Sequence, residues 1–115
     1  MTDDKCARAT TCWGGGPYIF NLNHPWVRNV LAYRGIRDPL DTPAACLLRF
    51  EHAAYSDIDV ERIIELGLIG GGMAERDVEA LLDAHVRGQP LGPNAMIAMG
   101  VLAALFVGDA NAART

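Results

Sequence analysis

The sequence predicts a mainly α, α+β fold: a short N-terminal β-hairpin packed on a bundle of about five helices. Three observations carry that expectation. Two β-prone runs flank Gly14-Gly15-Gly16-Pro17. Beyond Asn23, apolar residues recur at helical spacing. Caps, prolines and glycines then divide the remainder into helix-length segments.

The hairpin is expected from Thr10 to Trp13 and Tyr18 to Leu22, with Tyr18, Phe20 and Leu22 alternating onto one face. A lone hairpin is marginal in water, so it must pack on the helices or pair with another chain's edge. The first helix opens at His24-Pro25-Trp26, with Asn23 or His24 as cap, and ends at Gly35. Trp26, Val27, Val30 and Leu31 form its apolar face. After a polar connection containing Asp38-Pro39, Thr42-Pro43 starts a second helix reaching Ala54 or Tyr55, with core contacts from Leu47, Leu48 and Phe50.

Val60, Ile63, Ile64 and Leu68 lie on one stripe of a third helix, begun by the capping pair Ser56 and Asp59. Gly67-Leu68-Ile69-Gly70-Gly71-Gly72 follows. Each glycine costs a helix interior about 1 kcal/mol relative to alanine, so the run reads as a sharp stop, a backbone at positive φ or a very close packing contact. Val78, Leu81, Leu82 and Val86 give a fourth helix over 74–87, entered through Glu75 and Asp77 and ended by Gly88. Pro90, Gly92 and Pro93 delay the last helix to about Asn94, and it runs to Val107. That helix is apolar almost all round, which suits the centre of a bundle or a face covered by a partner.

The 115 residues are half hydrophobic but only 7% aromatic, so the core rests on Leu, Ile, Val, Ala and Met within one domain. The expected layout is a loose segment over 1–9, a single domain over 10–108 and a flexible tail over 109–115. A net charge of −4 makes nucleic acid a poor partner. Arg28, Arg34, Arg37 and Arg49, interleaved with Asp38, Asp41 and Glu51, read as a solvated mixed-charge surface. Cys6, Cys12 and Cys46 lack metal-knuckle spacing, so reduced thiols and no metal are expected. No signal peptide is visible, and the longest apolar run falls short of a membrane span.

No cofactor or enzymatic activity is expected. A phosphate-binding loop would need a lysine beside its glycines, and no lysine follows Lys5. His24, His52 and His85 have no local motif tying them to a nucleophile. Met73, Met96 and Met99 fit core gap-filling best, although thioethers also suit adaptable surfaces. The glycine run and the last helix make the preferred interaction region, with Leu68, Ile69, Gly70, Gly71, Gly72, Met73 and Leu91 as candidate partner-binding residues.

The order of features from Trp13 to Gly108 resembles the gene-transfer-agent family of phage tail assembly proteins. The hairpin, Leu48-Arg49-Phe50, Gly67-Leu68-Ile69-Gly70-Gly71-Gly72-Met73, Pro90-Leu91 and the closing Ala/Leu helix carry the resemblance. It implies a tail assembly chaperone that binds the hydrophobic tape-measure protein in the bacterial cytoplasm during tail morphogenesis. The alternative it offers is a structural, tail tube-related component of a virion or gene transfer agent, contacting tube subunits. A small regulatory binding protein is a third class. A homo-oligomer is compatible with all three.

Overall fold

The computed structural model describes residues 8–13 and 16–108. Residues 1–7 of the expected N-terminal segment, the hairpin glycines Gly14 and Gly15, and the C-terminal tail lie outside the described residues, whereas Arg8 and Ala9 belong to the first strand.

Strands β1 (Arg8–Trp13) and β2 (Gly16–Phe20) form an antiparallel pair, with Trp13 opposite Gly16 and Tyr18 opposite Thr11. The register is irregular between Arg8 and Thr11. Phe20 and Leu22 are fully buried, as the alternation requires, although Leu22 lies just past the strand. Trp13 sits against the rings of Tyr18, Phe20 and His85 in edge-to-face contacts, with centroids 5.7, 5.9 and 5.7 Å away. Its indole N–H donates to Asn94 Oδ1 at 2.7 Å, and Asn94 Nδ2 donates to the His85 carbonyl at 2.9 Å. One aromatic side chain thereby fastens the hairpin to two helices.

Helix α1 (Pro25–Arg34) begins at His24, whose Nδ1 accepts from the Trp26 amide, and ends at Gly35 with φ 66°. Val27 and Leu31 face the core, but Trp26 is 44% exposed, because its position in the first turn lies off the Val27–Leu31 stripe. Helix α2 (Pro43–Glu51) is shorter than expected. It breaks at His52, and Ala53 takes φ 56°. Cys46 and Phe50 supply its buried face, while Leu48 is 54% exposed. Leu48 lies two residues from each of them, on the other side of the helix.

Helix α3 (Asp57–Gly70) is the centre of the molecule and packs on α5, β2, α4 and α1. The glycine run is expected to end this helix at Leu68, and it ends two residues later. The helix continues through Gly67 to Gly70, and within the run only Gly72 takes positive φ, at 108°. The reason is proximity. A Cβ at Gly70 would overlap the Asn21 carbonyl, one at Gly71 the Ile19 carbonyl, and one at Gly67 would press on Phe20 and Val101 at 3.1 Å. The Asn21 amide also donates to the Gly67 carbonyl at 2.9 Å. The glycines bring the end of β2 onto the helix backbone, and burial of Phe20 and Leu22, worth about 2–3 kcal/mol each, offsets their helical cost.

Helix α4 (Glu75–His85) buries Val78 and Leu82. Helix α5 (Leu91–Val107) starts earlier than expected, with Gly92 and Pro93 inside its first turn. A proline is harmless there because the first-turn amides have no intrahelical acceptor. No helix among the described residues is long and apolar enough to cross a membrane.

Candidate functional site

The end of α3 and the outer face of β2 enclose a cleft of about 500 Å³. Of the residues expected from sequence, Leu68, Gly71, Gly72 and Met73 line it, joined by Pro17, Tyr18, Ile19, Ala74 and Asp77. Ile69 is half-buried beside them, whereas Gly70 is buried against Asn21, and Leu91 stands on α5 outside the lining. Leu68 forms the floor and is itself core. Ile19, 49% exposed, was missed by sequence reasoning, although its alternation with Tyr18 and Phe20 marks it as the outward residue of the strand.

A second open surface lies on α5. Ala95, Ala98, Val101 and Leu102 face the interior, but Met96, Met99, Phe106 and Val107 are exposed. The preference for Met96 and Met99 as core fillers is thus corrected, since the core-facing positions of α5 are taken by smaller residues. Beside Phe106 a groove of about 430 Å³ runs between α1, α2 and the end of α5, walled by Leu31, Ala32, Pro43, Ala44 and Leu105. Arg28 is the one charged residue in its lining.

The charged residues are organised for structure. Asp59, fully buried, accepts paired hydrogen bonds from Arg37 at 3.0 and 2.8 Å and from Arg49 at 3.0 and 2.8 Å. Its carboxylate also accepts from the Ser56 amide, completing the capping box. Burial alone would raise its pKa. The Arg49 and Arg37 guanidiniums and the Ser56 amide more than reverse that, holding it well below the usual carboxylate range. Arg49 also grips Asp41 through two bonds of 2.8 Å. The stretch expected to be a solvated mixed-charge surface is therefore partly an internal clamp, because Asp59, remote in sequence, supplies the carboxylate that draws Arg37 and Arg49 inward.

On the opposite side Arg87 bonds Glu61, Glu79 and Asp83, tying α3 to α4 at the surface. Glu65 nearby has its pKa raised, chiefly by burial. Burial likewise pushes the Cys46 thiol up to about 12, which makes it a poor nucleophile near neutral pH. His24 caps α1, His52 ends α2 and His85 lies against Trp13, so the three imidazoles serve separate elements. Among the described residues no group of three or more His, Cys, Asp or Glu is placed to hold a metal ion. What the arrangement offers is recognition: two apolar surfaces on a rigid helical frame.

The family described as "Phage tail tube protein, GTA-gp10" matches residues 7–108, and the chain belongs to that family. That description agrees with a tail tube-related component better than with the tail assembly chaperone placed first from the sequence. No curated protein and no solved structure matches the chain.

Proposed function

We propose that this member of the phage tail tube family is a non-enzymatic, tube-related structural component of a phage or gene-transfer-agent tail. It is assembled in the bacterial cytoplasm and retained in the finished particle. Family membership over residues 7–108 is the observation that carries this reading. The contact surface is the cleft between β2 and the α3–α4 turn, where Tyr18, Ile19 and Met73 offer apolar groups beside exposed backbone at Gly72. Such a surface receives an extended or helical segment of a neighbouring tail protein, with Gly71 in its wall and Leu68 as its floor, while Ile69 and Gly70 lie behind the lining and hold the helix end in place. Leu91, on α5, belongs to a separate contact.

A second reading, a chaperone for the tape-measure protein, draws on the methionines exposed along α5, whose flexible side chains adapt to varied apolar chains. One experiment separates the two. Quantitative mass spectrometry of purified particles should find the chain at a fixed ratio to the tube subunits. Absence from particles, together with rescue of soluble tape-measure protein on co-expression, would replace the structural reading with the chaperone one.

A further inference from the structure

We propose that the cleft between β2 and the α3–α4 turn selects a partner segment by its basic side chain: an arginine presented beside an apolar residue. This inference rests on the tail reading and deepens it, naming the chemistry of the neighbour at the same surface. The walls of the cleft are largely apolar, with Tyr18, Ile19 and Met73 among them, and Asp77 is the one charged residue in its lining. Asp77 is exposed, and among the described residues its carboxylate takes no hydrogen bond and no ion pair. The first turn of α4 does not occupy it either, since no side chain there makes a capping bond and the turn closes through the Asp77 amide on the Ala74 carbonyl at 3.0 Å.

The end of α3 adds charge of the same sign. A helix finishes in carbonyls without intrahelical donors and carries a partial negative charge there. Helix α3 has no basic residue in its last turn to offset it. The Gly67, Leu68 and Ile69 carbonyls accept from amides of the following turn, but those of Gly71 and Gly72, both in the lining, accept no hydrogen bond among the described residues. Without side chains, these two residues leave their backbone open to a ligand. Arg76 does not neutralise the cleft, because adjacent helical residues face different sides, and it is not part of the lining.

A free carboxylate, open carbonyls and the Tyr18 ring are together what a guanidinium satisfies. Its planar fork of N–H donors bonds carboxylate and carbonyl at once, its face stacks on an aromatic ring, and its methylene stem covers apolar groups such as Ile19 and Met73. An acidic segment would meet Asp77 and the negative end of α3. A wholly apolar one would strip both of water without giving them a partner. The volume of about 500 Å³ admits the basic side chain together with an apolar one two positions away, which an extended segment places on the same face.

The test is an NMR titration of the full isotope-labelled chain with two capped peptides, one containing Ile-Ser-Arg and the other Ile-Ser-Gln. Both should shift the amide signals of Ile19, Gly72 and Asp77, and the arginine peptide should bind about five-fold more tightly, the upper value for an exposed ion pair. Asp77→Asn should bring the arginine peptide down to the affinity of the glutamine one and leave the latter unchanged. Glu51→Gln, the same loss of charge at an exposed site on α2, should leave the preference intact. Equal affinities, a preference that survives Asp77→Asn, shifts confined to other surfaces, or no shift with either peptide would each overturn the proposal. None of these results touches the tail reading, which falls on the composition of purified particles: a chain present there whose cleft shows no preference for arginine loses this inference alone.

Discussion

Helices α3 and α5 look alike in sequence and behave differently in the fold. Both are strongly apolar and both carry internal glycines. In α3 those glycines sit under the Phe20 side chain and the Asn21 carbonyl at the end of β2, and the helix is enclosed by four other elements. In α5 only one side is enclosed, and Met96 and Val107 stand in the open. The difference teaches that apolar content measures how much surface a helix must cover, while its neighbours decide whether the molecule covers it alone.

The comparison can be broken most severely at the start of α3. Asp59→Asn leaves two arginines without their buried carboxylate and should cost about 3–5 kcal/mol, read as the shift in urea midpoint. Glu79→Gln in the exposed Arg87 cluster should cost less than about 1 kcal/mol. Comparable losses at the two sites would mean that Asp59 is not the enclosed charge described here.

The glycines give the next contrast. Gly70→Ala sets a methyl group into the Asn21 carbonyl and should destabilise by about 3 kcal/mol, lowering the melting temperature. Gly92→Ala, in the first turn of α5 with no heavy atom within 4 Å of the added Cβ, should be neutral or stabilise by up to about 1 kcal/mol. Trp13→Phe falls between them. It keeps the ring contacts but strands Asn94 Oδ1, at about 1–3 kcal/mol.

The pH dependence sharpens the same distinction. The folded pKa of Asp59 lies below the ordinary carboxylate value of 3.8, so its contribution is complete above about pH 5 and is lost as pH falls toward the folded value. Denaturation followed between pH 5 and 2 should therefore show a stability loss that Asp59→Asn largely removes. The smallest effect is chemical. Cys46, with its thiol raised to about 12, should resist alkylation near neutral pH until the chain unfolds, as peptide mapping of the modified site would show.

Much of this was legible in the residues. The His24, Thr42 and Ser56 caps, the prolines at the starts of α1 and α2, and the Val60–Ile63–Ile64 stripe each rest on interactions within a few residues, which sequence spacing reports directly. The candidate cleft was half legible. Gly71, Gly72 and Met73 stood out, but the facing wall of Tyr18 and Ile19 belongs to a strand some fifty residues earlier in the chain, and no local pattern links the two. The clamp on Asp59 escaped for the same reason, since an N-terminal capping role already accounted for that carboxylate.

By itself, then, the sequence determined the hairpin, the helices and most of their ends, because caps, periodicity and backbone preferences act over a turn or two. Only the tertiary structure decided that α3 continues to Gly70, that Arg37 and Arg49 turn inward, and that one side of α5 remains open. Each of these depends on which distant group arrives within a few ångströms, and that distance is set by the packed whole.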